Sequence, residues 1–387
     1  MIKIILTDPL NTEKLHFKHL KPIVLGRLTL QKTQAKGDSR LVNLLTYIES
    51  NLRKILIGKR EDLEEIITKV EKDYYISINK FTEIDGKRRG KVDGRNKLTF
   101  PSKMKEFLKE SLFYEHLDTK EPSTAGEYKQ ELKELKVRYE SYGEVLEKIF
   151  DYDNFTKEGK VWSGYVLADH LNVGVCPYCN RTFTTTLKKV DGKGNQTRPD
   201  FDHYYPKSRY QYLGLSLYNL IPSCGVCNRS LKKSVDFYNN EAIHPYEEEF
   251  LEVASFSTNF DYTKDESYRF LLGDTTNFEI TFKVETDDED QRKRVEKSIK
   301  TFSLLELYNS HKDIVVEIIK LSRISTEERF EELYKQVGYL FKDKEEFTRT
   351  FFSNYTTSEN LGKRPLAKLT QDISKELSLS LQNSNNK

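Results

Sequence analysis

"FDHYYPKSRYQYLGLSLYNLIPSCGVCNRSLKK", residues 201–233, decides how the rest of this chain is read. It places an aspartate beside a histidine, turns at Pro206, and closes on a Cys-x-x-Cys pair, Cys224 and Cys227, followed by a basic run. A second pair, Cys176 and Cys179, lies upstream, and the chain holds no other cysteine. Each such turn aims two thiolates at one ion, so two turns complete the four-sulfur shell of a closed structural Zn²⁺ site. With every position filled by protein, no place is left for a reacting water, and the ion is expected to hold the fold rather than do chemistry. The 44 residues between the pairs exceed the roughly 15–20 of a zinc ribbon and suffice for a hairpin and a loop. "RTFTTTLKK" (181–189) reads as a strand, "DGKG" (191–194) as its turn, "FDHYYP" as another extended piece, and "VCNRSLKKSVDFY" (226–238) as a helix opened by the second pair. A knuckle, a hairpin and a helix joined through one ion make a treble clef.

The bulk numbers favour a local reading. Lys and Arg total 63 against 61 Asp and Glu, a net charge of +2 that does not mark the whole molecule as a polyanion binder. Between Cys176 and Asp236, however, ten basic residues face four acidic ones, which leaves +6 there and −4 elsewhere. The positive field therefore gathers around the motif. The N-terminus, "MIKIILTDPL", has too short an apolar run for an export signal, and "DIVVEIIKL" is broken by charges, so a cytoplasmic protein with no membrane span is expected. In that compartment paired cysteines favour a metal over disulfides.

The flanks read as helical, giving an α+β chain that is mainly helical. Leu41, Leu44, Leu45, Ile48, Leu52, Ile55 and Leu56 form a stripe at helical spacing that ends at Gly58, and a second follows at Leu63, Ile66, Ile67 and Val70. "DGKRRGKVDGRNK" (85–97) reads as a basic, glycine-broken loop and "TKEPSTAGEY" (119–128) as a linker into a long helix over 128–149. Phe278, Ile280, Phe282 and Val284 alternate as a half-buried strand does, and Ser325 with Glu328 suggests a capping box. The expected organisation is a helical region over 1–155, a zinc-bearing domain over 156–250, an α+β region over 251–380 and a disordered tail over 381–387.

With these residues in view, the 201–233 stretch resembles the HNH endonucleases, the ββα-metal family, in their zinc-stabilised form. The resemblance covers about residues 171–250 and implies a role for each matched position: His203 as general base, Asp202 and Asn228 as ligands of a catalytic Mg²⁺ (or Mn²⁺), and Asn219 as the tether of the His203 loop. Chemistry supports the same roles independently. An imidazole ionises close to working pH, and hard oxygen donors suit a Mg²⁺ that keeps several waters. Side chains of adjacent strand residues normally diverge, so a bend at Pro206 and the nearby helix are needed to bring Asp202 and His203 to one phosphate. Lys207, Arg209, Arg229, Lys232 and Lys233 are expected to hold phosphates without reading bases. His244, in "IHPYEEEF", reads as a structural turn residue more than as a groove residue.

More loosely, "VLADHLNVGVCPYCNR", "IHPYEEEF" and "RPLAKLTQDISKEL" (364–377) are similar to flanks in the HNH subunits of Septu-type anti-phage systems, the PtuB-like proteins. That resemblance implies DNA as target, an ABC- or SMC-like ATPase as partner, and helical flanks as docking surfaces. A treble-clef module that binds DNA or a partner without chemistry, and an RNA-cleaving effector, are the alternatives.

Overall fold

The computed structural model describes residues 1–92, 114–118, 125–187, 189, 194–251, 253–258, 269–270, 272–324 and 327–377. The chain is mainly helical with two small sheets. Helix α1 (Pro9–Gln34) has no counterpart in the sequence reading, because its apolar residues are interrupted by Lys and His and form no obvious run. It is set by Asp8, whose carboxylate accepts from the Asn11 amide at 3.0 Å, with Pro9 in the first turn. Leu20, Val24 and Leu28, four residues apart, form its buried seam.

The stripe expected over 41–57 is two helices. α2 (Ser39–Ser50) and α3 (Leu52–Ile57) break at Asn51, which leaves helical geometry at φ −108° and ψ 14°. α4 (Arg60–Asp73) carries the second stripe, α5 spans Ile78–Val92, and α6 spans Ala125–Ile149. The first part of the expected basic loop, 85–92, is therefore helical, while 93–97 lie outside the described residues. So do 119–124 of the expected linker, Ser325 of the capping box and the 381–387 tail. Leu44, Leu45 and Ile48 of α2 and Leu135, Tyr139 and Leu146 of α6 are buried in the chain's own core, so these two stripes are not docking faces. Asp38 joins the two helices, since it caps α2 through the Leu41 amide and accepts from the Tyr142 hydroxyl of α6 at 2.9 Å.

After α7 (Gly164–Leu171) the described residues of the expected strand 181–189 form no strand. Single bridges join Val175 to Phe183 and Leu187 to Thr197, and residues 191–193 of the expected turn lie outside the described residues. Strand β1 (Asp200–His203) instead pairs antiparallel with β2 (Leu220–Ser223), with Asp202 opposite Ile221 and His203 opposite Leu220. A seven-residue π-helical turn, Val226–Lys232, follows directly. It stops short of the helix expected to 238 because Lys233 turns to φ +51°. The order is thus strand, strand, helical turn.

A second hairpin, β3 (Ala254–Ser257) with β4 (Thr281–Val284), is shorter than the alternation from Phe278 suggested. Phe278 and Ile280 are nonetheless buried just ahead of it. Helices α8 (Glu289–Thr301), α9 (Lys312–Ile324), α10 (Glu327–Val337), α11 (Lys344–Phe351) and α12 (Ala367–Glu376) complete the chain. Buried apolar residues from all three expected regions fall in one contiguous core cluster. α12 is buried over most of its length, and Asp372 within it accepts from the Phe256 amide of β3 at 2.8 Å while pairing with Lys368. This flank also packs inward.

Candidate functional site

The four cysteines converge. Their Sγ atoms all lie within 4.8 Å of one another and all four side chains are buried. Tetrahedral Zn²⁺ with Zn–S bonds near 2.3 Å needs sulfurs about 3.8 Å apart, and Cys179 and Cys224 stand at 3.9 Å. Local backbone explains the convergence. The Cys176 carbonyl accepts from the Asn180 amide at 2.8 Å and the Cys227 amide points at Cys224 Sγ at 3.5 Å, so each pair is a closed turn. Four buried sulfurs with no oxygen donor among them fit a structural zinc and leave no open position.

The knuckle is also braced from the C-terminal region. Tyr308 donates to the Cys179 carbonyl at 2.6 Å, and the Asn180 side chain bridges the Leu361 carbonyl and the Lys368 amide at the start of α12. Asn180 sits in the left-handed region at φ +50°, a conformation Asn tolerates better than most residues.

From this knuckle Tyr178 reaches β1, and its hydroxyl donates to Asp202 Oδ2 at 2.6 Å. Asp202 Oδ1 accepts from Lys232 Nζ at 3.1 Å, and the same ammonium donates to the His203 carbonyl at 2.6 Å. Asp202 and Lys232 are both fully buried. Burial pulls the Lys232 ammonium below its usual pKa, while the Asp202 charge pulls it back up. Removing either partner would strand a buried charge, a cost of about 3–5 kcal/mol. The expectation of a surface phosphate contact therefore fails for Lys232.

His203 meets different partners. Its Nε2 lies 3.0 Å from the Gly214 carbonyl. A carbonyl only accepts, so Nε2 carries the proton and Nδ1 keeps a free lone pair. Tyr152 packs against the ring edge-on at 4.6 Å. Burial pushes the imidazole down to about 3, which keeps it neutral. The carbonyl it uses is itself held in place, because His16 of α1 donates to the next one, Leu215, at 2.8 Å and in turn accepts from the Trp162 indole at 3.1 Å.

Asn219 spans the loop that follows His203. Its Oδ1 accepts from the Tyr205 amide at 2.7 Å, and its Nδ2 donates to the Tyr205 and Leu213 carbonyls, both at 3.1 Å. Asn228 is half-buried inside the π-turn, where its amide donates to the Cys224 carbonyl and its carbonyl accepts from the Lys233 amide. Asn228 stands four residues before Lys232, the side chain of this turn that meets Asp202. Asp202, buried with each oxygen already accepting one hydrogen bond, and the half-buried Asn228 are the two oxygen donors here that could hold a divalent ion.

The basic residues divide. Lys207 is exposed beside Asp153 at 3.2 Å, Arg229 is exposed but forked onto Asp200 at 2.7 Å, and Lys233 is exposed at the end of the π-turn. Arg209 is mostly covered and shared between Glu83 and Asp236. His244 is fully buried against Tyr204 at 4.3 Å, with its carbonyl capping the Glu247 and Glu248 amides, as a turn residue does.

Sequence reasoning missed Tyr178, Tyr152, Gly214 and His16. Only the position of Tyr178 between two ligands could have flagged any of them. His16 and His244 are buried and held neutral, near 4 and 3 respectively. Unfolded histidines protonate below about 6.5 and these two do not, so the unfolded state gains protons first as pH falls. Stability should therefore drop by a few kcal/mol between pH 7.5 and pH 5, as urea melts at the two pH values would show; equal midpoints would mean that these rings are solvated.

Among the described residues, no helix is long and apolar enough to cross a membrane. No family model, curated protein or solved structure matches this chain.

Proposed function

We propose that this protein is a metal-dependent endonuclease of the HNH type, with a treble-clef zinc site, that hydrolyses DNA with little sequence preference. The observation that carries the reading is the neutral His203, whose Nε2–H is committed to Gly214 and whose Nδ1 is free to accept, on the strand position next to the Asp202 carboxylate. A pure binding module has no use for an imidazole fixed in one tautomer on the residue that follows a buried carboxylate.

In this reading His203 Nδ1 takes the proton of the attacking water. A ring held near 3 is a weak base in the free protein, and the negative charge of an arriving phosphodiester raises it toward the useful range. Asp202 and Asn228 would hold a Mg²⁺, whose charge would polarise the scissile phosphate and support the leaving oxygen. Asn219 keeps the loop bearing Gly214 in place, and so orients the base without touching substrate. Lys207, Arg229 and Lys233 offer phosphate contacts. The resemblance of the three flanks to Septu-type subunits supports an ATPase partner and a role in anti-phage defence within the cytoplasm.

The test is to incubate the purified, zinc-loaded protein with plasmid, single-stranded DNA and RNA, in Mg²⁺, Mn²⁺ or EDTA. Cutting of DNA that needs the divalent ion is expected. Preferential RNA cutting would favour the effector alternative, and retention of DNA without cutting in Mg²⁺ or Mn²⁺ would favour the binding module.

A further inference from the structure

We infer that Lys232 is a resident counter-cation of the metal site: it holds Asp202 in the metal-free protein and competes with the divalent ion for that carboxylate. The inference rests on the nuclease reading for the identity of the site, and on geometry for the rest. Lysine side chains are seldom fully buried without a reason. This one has no exposed surface, and its Nζ contacts Asp202 Oδ1 at 3.1 Å, the His203 carbonyl at 2.6 Å and the Phe237 ring at 5.0 Å from its centroid. It also stands four residues beyond Asn228, on the side of the π-turn that meets β1.

A divalent ion ligated by Asp202 would sit about 2 Å from a carboxylate oxygen, with the ammonium on the same carboxylate. Two cations at that separation in a buried site repel strongly, because little solvent screens them. The metal-free site is therefore pre-shaped and charge-balanced, and ion uptake carries a penalty that an incoming phosphodiester offsets with its own negative charge. Weak ion binding in the absence of nucleic acid, and tighter binding in its presence, follow.

Mn²⁺ affinity of the full-length, zinc-loaded protein, measured by paramagnetic resonance, tests this. Lys232→Gln keeps an N–H donor for Asp202 without the charge, and Lys232→Met removes both. Each is expected to bind Mn²⁺ at least about tenfold more tightly than wild type, while Asp202→Asn binds it more weakly than wild type. Unchanged or weaker binding in folded Lys232 variants, with Asp202→Asn impaired, would overturn the competition but leave the metal site standing. Mn²⁺ binding indifferent to Asp202→Asn would instead remove the metal site, and the nuclease reading with it. Wild-type protein provides a check that needs no variant. Mg²⁺ titration should shift the Lys232 ammonium resonance with the midpoint of ion binding, and a resonance unmoved at saturation contradicts the proposal.

Discussion

Cys224→Ser, or removal of the ion by a strong chelator, is expected to unfold the segment from Val175 to Lys233 rather than merely loosen it. The magnitude follows from comparison. A structural zinc in small domains contributes about 10–16 kcal/mol of apparent binding free energy, and a whole domain is commonly stable by only about 5–15 kcal/mol. Here the four cysteines that could hold the ion also flank the supports of the site. Cys224 directly follows β2, and Tyr178, between the first two cysteines, holds Asp202. Without the ion, the knuckle, β1 and the π-turn lose their common anchor. One zinc per chain in wild type, and loss of both zinc and the cooperative melt in Cys224→Ser, would be seen by metal analysis and calorimetry. A variant that lost its zinc and melted like wild type would mean that the four thiols are simply buried.

His203→Ala should reduce DNA cutting by about 10³-fold, within the roughly 10²–10⁴ that a positioned general base supplies. The loss should appear in kcat with KM little changed, because the ring faces Gly214 and Tyr152 rather than an exposed phosphate contact. Arg229→Ala is the contrast. That side chain is exposed, and its loss should weaken DNA binding and flatten the salt dependence while leaving kcat near wild type. A His203→Ala protein that cut like wild type would assign the base elsewhere.

The convergence of the cysteines, the extended piece at 201–203 and a helical turn opening at the second cysteine pair were legible because their chemistry is local: cysteine spacing, an Asp-His pair and a turn-forming proline. The pairing of β1 was not. Both "RTFTTTLKK" and "NLIPSC" are compatible with an extended partner, and the register of β1 with 220–223 is a tertiary choice that neither stretch shows locally. Lys232 misled for a related reason. A lysine in a basic run reads as solvated, and only the tertiary approach of the π-turn to β1 shows that it balances Asp202. α1 was missed because its helical face is diluted by charged residues, although it supplies His16 to the corner that His203 uses. The helical stripes are helical, although that over 41–57 breaks into two at Asn51, and their partners lie within the same chain.

Asp202 and Asn228 as ligands of a divalent ion are the proposal on which the nuclease reading depends. Anomalous diffraction from crystals of the zinc-loaded protein soaked in Mn²⁺ tests it most directly. Two peaks are expected, zinc among the four Sγ atoms and manganese at the Asp202 carboxylate and the Asn228 side-chain oxygen. A zinc peak alone at saturating Mn²⁺, with Lys232 still on Asp202 and DNA present, would contradict it.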